Sequence, residues 1–146
     1  MNGIEYRELV SRDFDQAMSL WSNTEGMGIR GSDNARDFSR FLSRNPAMSF
    51  AAVREGKIVG TIMCGHDGRR GYIYHLAVAV AHRRQKIASR LVTLAMSSLE
   101  REEIEKCTLF VFDTNLNGSE FWSDLGWVKR NDLLIFQKDL FRTRIG

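Results

Sequence analysis

Residues 72–91, YIYHLAVAVAHRRQKIASRL, constrain what this chain can fold into more than any other stretch. Tyr72 to Val78 is a strand-forming run of aromatic and branched residues. It leads through His82, Arg83, Arg84, Gln85 and Lys86 straight into Ile87, Leu91, Leu94, Ala95 and Leu99, which recur at helical spacing. The order strand, basic loop, helix start sets unpaired helix N–H groups and the positive end of the helix dipole beside Arg83, Arg84 and Lys86. Such an arrangement suits a phosphate group. The plainer reading of the same residues is a solvated basic helix start with no ligand.

The other segments build around this unit. IEYREL, Ile4 to Leu9, reads as a first strand; Ser11 is a candidate N-cap for a helix carrying Phe14, Ala17, Met18 and Trp21. Glu25 to Asn34 holds three glycines without a period and reads as a loop. A second helix follows with Ala35, Phe38, Phe41 and Leu42 on one face, closed by Pro46. MSFAAVR, KIVGTIMCG and YIYHLAVAV form an antiparallel meander turning at Glu55-Gly56 and Asp67-Gly68. Beyond the long helix, Cys107 to Phe112 predicts a buried strand and SEFWSDLG a short helix. Trp127–Arg130 and Leu133–Lys138, split by Asn131-Asp132, predict a closing hairpin. The order β-α-α-β-β-β-α-β-α-β-β predicts an α/β domain with helices on both faces of one mixed, mostly antiparallel sheet. The 146 residues fit a single domain, 1–146, with no repeat or linker.

The charge balance, 21 basic against 18 acidic residues, gives a net +3 spread along the chain. Because the basic residues near Arg83 form one compact loop and not a stripe, nucleic acid is not expected as a partner. The N-terminus lacks a signal-peptide pattern and no apolar run reaches the ~18 residues of a membrane span, so the expectation is a cytoplasmic protein that does not meet a membrane. Cys64 and Cys107 each lie in an apolar strand-like run and are expected to be reduced. His66, His75 and His82 lack Cys or carboxylate partners at ligand spacing, so no metal is expected.

The segment Arg83-Arg84-Gln85-Lys86-Ile87-Ala88 resembles the pyrophosphate loop, Q/R-x-x-G-x-G/A, of the GNAT superfamily of acyl-CoA-dependent N-acetyltransferases. It matches at Arg83 and Ala88 and departs at Lys86, where the family usually has glycine. With negative φ at Lys86 the substitution costs little; with positive φ the loop carries about 1 kcal/mol of strain. Asn115 to Trp127 resembles the family's C-terminal motif N-x-x-A-x-x-x-Y-x-x-x-G-F: Asn115 and Gly126 match, while Gly118, Trp122 and Trp127 replace alanine, tyrosine and phenylalanine. The segment GHDGRRGYIYH also looks like a feature of one group of small bacterial GNAT proteins. The resemblance spans nearly the whole chain and implies the GNAT fold.

It further implies acetyl-CoA as co-substrate and an amine acceptor, with direct transfer between them. Leu76, Ala77 and Val78 would pair with the pantetheine arm; Arg83, Arg84, Gln85, Lys86, Ile87, Ala88 and Ser89 would hold the diphosphate. Asn115, Phe121 and Trp122 would complete the cofactor site. Homodimers are common among relatives, so a homodimer is possible here. An amine with a pKa near 10.4 is free base only about one part in 10³–10⁴ at pH 7, a barrier of roughly 4–5 kcal/mol unless something removes the proton. Family members often carry an acidic residue on the fourth strand for this, but YIYHLAV has none, leaving Tyr72, Tyr74 and His75. Alternation puts the two tyrosines on one face and His75 on the other unless a bulge intervenes. An imidazole suits proton transfer near neutrality, and a shared water relay is the preferred reading; core packing is the plain alternative.

Trp122 stands where many members have a tyrosine acid. An indole N–H can donate a hydrogen bond but cannot deliver a proton, so either the thiolate leaves unaided or water protonates it; alternatively Trp122 only packs, against the pantetheine arm or the core. His66, Asp67, Arg69 and Arg70 read first as turn chemistry. With Arg30 and Asp33 they would otherwise line a pocket for an anionic or zwitterionic amine. A non-catalytic acyl-CoA-binding module is the competing reading of the chain.

Overall fold

Glu55 and Gly56 both take positive φ, 50° and 77°, as a tight two-residue hairpin requires. They fold β2 (Phe50–Arg54) back onto β3 (Lys57–His66) in the computed structural model, which describes residues 3–141. At the next turn the Asp67 carboxylate accepts the N–H groups of Arg69 and Arg70, each at 2.8 Å, and β4 (Gly71–Val78) returns along β3. β1 (Glu5–Glu8) pairs antiparallel with β2, and β5 (Cys107–Thr108) pairs parallel with β4. The sheet order is β1-β2-β3-β4-β5, mixed and mostly antiparallel as expected.

Neighbouring residues of β3 point to different layers. On one face Thr61 meets Trp21 of α1 (Phe14–Ser22), and α2 (Ala35–Arg44) joins through a Trp21–Phe38 ring contact of 6.0 Å. Trp21, Phe38, Leu9, Ala17, Ala51, Val53, Met63 and Ala77 form the core there. On the other face Gly60 admits α3 (Ile87–Arg101): a Cβ at that position would stand 3.1 Å from Ile87 and 3.2 Å from Leu91. Of the helical stripe read from the sequence, Ile87, Leu91, Ala95 and Leu99 are buried and Leu94 is half-buried, while Val92, outside that reading, is buried beside them.

At the start of α1 the N-cap is Asp13, not Ser11. Its carboxylate takes two guanidinium bonds from Arg7, at 2.8 and 3.0 Å, and the Val10 N–H at 2.9 Å, a stronger set than a serine hydroxyl offers. Asn34 caps α2 by accepting the Asp37 N–H, and Asn45 ends that helix just before Pro46.

Residues up to Phe110 form one compact unit and residues from Val111 a second. The strand expected over Cys107–Phe112 is paired only at Cys107 and Thr108. In the second unit Asn115 accepts the Gly118 N–H at 2.9 Å and caps α4 (Leu116–Asp124). A Cβ on Gly118 would stand 2.5 Å from Asn115 Nδ2, so the alanine of the family motif would displace this cap. The closing hairpin is not formed: residues 127–130 and 133–138 carry no strand. Neither Asn131 nor Asp132 takes the positive φ of a tight hairpin turn. Arg130 instead grips Asp132 through two 2.8 Å bonds and holds the chain in an open bend.

Candidate functional site

The basic loop has the backbone of a glycine-rich loop without the glycines. After a single 3₁₀ turn at Val80–His82, Arg84 and Lys86 take φ of 67° and 60°. That left-handed conformation costs a side-chain-bearing residue roughly 1–2 kcal/mol. Lys86 is the N-cap of α3 and supplies no side-chain cap; the Arg90 N–H bonds its carbonyl at 3.1 Å. The first amides of α3 therefore face the loop without helical partners. His82 Nδ1 and Gln85 Oε1 are buried beside them with no hydrogen-bond partner. Buried polar atoms are rarely left so; an anionic ligand at the loop would accept from a hydrogen on His82 Nδ1, whereas Gln85 Oε1 is an acceptor and needs a donor. Arg83 Nε donates to the Val78 carbonyl at 3.3 Å, tying the loop to the end of β4. Arg83, Arg84, Gln85 and Lys86 lie on the loop, and Ile87, Ala88 and Ser89 form the first turn of α3.

The edge of β4 next to this loop is open. β5 pairs only with Gly71 and Tyr72, so among the described residues Ile73–Val78 have no ladder partner on that side. Leu76, Ala77 and Val78 lie on this stretch, and an extended ligand could add to it as a strand would.

A bulge in β4 rearranges the side chains that alternation predicts. Thr61 pairs with Ala77 and Met63 with Tyr74, so His75 and Leu76 together oppose Ile62, and His75 takes φ 48°. The extra residue turns His75 onto the face of α1 and α2, the face Tyr74 also occupies, and the expectation of opposite faces is corrected. The His75 ring lies 4.5 Å from that of Trp21, and Tyr74 meets Phe41 of α2 edge-on at 5.9 Å. Tyr72 stacks along Tyr74 at 6.4 Å. Trp21 Nε1 donates to Thr61 Oγ1 at 2.9 Å, and that hydroxyl donates to the His75 carbonyl at 3.0 Å. Burial, then the neighbouring Tyr72 and Cys107, push the Tyr74 phenol above its ordinary range and away from service as a base at neutral pH.

His75 Nε2 meets Asp33 Oδ1 at 2.7 Å, with the side chains only 14% and 10% exposed. Asp33 comes from the loop before α2, where its other oxygen accepts the Arg30 N–H at 2.8 Å. Burial raises the carboxyl's affinity for a proton, but the bonds from His75 and the Arg30 N–H outweigh it and hold Asp33 below the usual range. The sequence offered Asp33 as an acceptor-pocket residue with Arg30; its pairing with His75 across 42 positions carried no local signal.

The remaining candidates are elsewhere. His66, Asp67 and Arg70 stand at the β3–β4 turn, five residues or roughly 16 Å along β4 from His75 at strand rise. Their bonds are those of a turn: Asp67 holds two backbone N–H groups, and His66 Nδ1 accepts the Gly68 N–H at 2.9 Å. His66 Nε2 lies 3.6 Å from Glu102. In the second unit Trp122 packs between Phe121 and Trp127, at 5.1 and 4.9 Å. Cys64 and Cys107 are free thiols, pushed by burial up to about 12 and about 11. Among the described residues no group of three or more His, Cys, Asp or Glu could hold a metal, and no helix is long and apolar enough to cross a membrane.

Comparison with known proteins gives this arrangement a family. An acetyltransferase of Photorhabdus laumondii is 32% identical over 112 residues, covering 77% of this chain and 78% of the relative. The PaiA N-acetyltransferase of Thermoplasma acidophilum, solved with coenzyme A, shares the fold at TM-score 0.74 and 16% identity, over 84% of this chain and 87% of its own. The diaminobutyrate acetyltransferase EctA of Paenibacillus lautus, solved with L-2,4-diaminobutyric acid and coenzyme A, does so at TM-score 0.73 and 21% identity, over 86% and 75%. The model of the acetyltransferase (GNAT) family matches residues 12–127, which take in the bulged β4, the basic loop and α4, and the chain belongs to that family.

Proposed function

We propose that the chain, acting as one domain, transfers an acetyl group from acetyl-CoA directly to a primary amine on a small molecule, peptide or protein. The observation that carries this is the loop before α3: open helix amides, left-handed Arg84 and Lys86, and the orphaned His82 Nδ1 beside the unpaired edge of β4. These residues fit a diphosphate with an extended arm. Arg83, Arg84 and Lys86 would hold the diphosphate by charge, and the backbone of Leu76–Val78 would hold the arm. When bound, acetyl-CoA supplies an activated thioester: the amine nitrogen bonds to the acyl carbon, the carbon–sulfur bond breaks, and sulfur leaves with its electron pair.

The chain's own contribution is to orient the amine and take its proton. His75 is the group we assign to that step, directly or through a water held with Tyr72 and Tyr74. The leaving thiol resembles cysteine, with a pKa near 8.5, so little acid assistance is needed and packing suffices for Trp122. A second copy of the chain is the protein partner we favour. Leu133, Leu134, Ile135 and Phe136 are 60–89% exposed, and consecutive apolar residues on both faces of an extended segment call for cover. Light scattering giving a dimer, and a monomer for Leu134→Lys, would support this; a wild-type monomer would exclude it.

The test of the activity is release of free CoA from acetyl-CoA with spermidine, L-2,4-diaminobutyrate, kanamycin and an alanine-initiated peptide. Turnover on at least one is expected. Acetyl-CoA binding without turnover on any of them would make the chain a binding module.

A further inference from the structure

Resting on that reading of His75, we infer that Asp33 is a positioning residue: its carboxylate fixes His75 as the tautomer with the proton on Nε2 and so presents Nδ1 as the proton acceptor. The Nε2–Oδ1 distance of 2.7 Å is that of a short charge-assisted bond, and the carboxylate can only accept, so the ring nitrogen facing it bears hydrogen. A neutral imidazole has one N–H, which leaves the lone pair on Nδ1. Once Nδ1 takes a proton, Asp33 already stands opposite the resulting charge, as the buried carboxylate of a hydrolytic triad does.

Everything around the ring limits its movement. The bulge sets the backbone at φ 48°, and the Thr61 hydroxyl holds the His75 carbonyl at 3.0 Å. Trp21 closes one side at 4.5 Å and is itself tied to Thr61. Asp33 is held in turn through its second oxygen by the Arg30 N–H. A pair that only fastened the loop to the sheet would hold the same tautomer; a base aimed at a substrate needs its lone pair and its direction fixed as well, and the effect of Asp33 on turnover separates the two roles. The chemical step gains no new reactant: the amine proton passes to Nδ1 and then to solvent.

Two measurements on the full chain test this. Long-range ¹H–¹⁵N spectra of wild-type protein at pH 8, with the His75 signal assigned by His75→Gln, are expected to show hydrogen on Nε2 and a lone pair on Nδ1. The opposite tautomer overturns the inference whatever the activity. In steady-state assays on the amine of the panel that turns over, Asp33→Asn is expected to lower kcat by about tenfold to a hundredfold, with KM for acetyl-CoA changed less than about threefold. Asp33→Glu is expected to recover part of the loss. Wild-type turnover with Asp33→Asn within threefold of it overturns the inference and leaves the acetyltransferase reading intact. A wild-type chain that acetylates no amine overturns both.

Discussion

Lys86 shows how one residue can depart from a family pattern while the backbone keeps to it. The loop takes the conformation glycine would allow, φ 60°, and accepts the strain of a lysine side chain there. The sequence left the sign of this angle open because a left-handed backbone has no periodicity to reveal it. Lys86→Gly removes strain of roughly 1–2 kcal/mol but adds freedom to the unfolded chain worth about 0.5–1 kcal/mol. The expected result in urea unfolding is a gain of up to about 1.5 kcal/mol, and Lys86→Val, with a branched side chain, should lose stability. A substantial loss with glycine would contradict the strained backbone. Asp33 marks the opposite limit of sequence reading. Its residue type drew attention, but nothing local linked it to an imidazole 42 residues on.

Among the elements, those set by periodicity were legible: the meander, the α3 stripe and both early helices follow from residue spacing alone. The elements that failed depend on what lies beside them. Cys107–Phe112 is apolar enough for a strand, yet it pairs with β4 over two residues, and Asn131-Asp132 makes an ion-pair bend with Arg130 in place of a hairpin turn. The bulge of β4 was named only as an exception to alternation, yet it decides which face His75 takes. Thr61 holds that bulge by accepting from Trp21 and donating to the His75 carbonyl. Thr61→Val keeps the shape and strands both buried groups, an expected loss of about 1–3 kcal/mol in chemical denaturation, with Thr61→Ser recovering most of it. Equal stability of the valine and serine variants would show that the hydroxyl is not what fastens the bulge.

For the whole molecule, the buried thiol of Cys64 and the half-buried thiol of Cys107 predict a stability that falls in alkali. Their folded values, about 12 for Cys64 and about 11 for Cys107, lie above the ordinary thiol value of about 8.5. Protonated thiols are therefore favoured by folding: the stabilisation is complete below pH of about 8.5 and is lost as pH rises through the folded values. Across that window Cys64 alone removes roughly 1 kcal/mol per pH unit, and Cys64→Ala should flatten the decline. At pH 8 about one part in 10⁴ of a thiol titrating at 12 is thiolate, so native protein should react with Ellman's reagent far more slowly than unfolded protein.

The account as a whole depends on α3 and its loop binding a diphosphate. Calorimetric titration of the chain with acetyl-CoA, set beside S-acetylpantetheine, which has the thioester arm and no nucleotide diphosphate, reads that directly. The prediction is one site per chain, with acetyl-CoA tighter than about 100 μM and S-acetylpantetheine at least about a hundredfold weaker, a difference of roughly 2.7 kcal/mol. Equal affinities, or no saturable binding of acetyl-CoA, would contradict it.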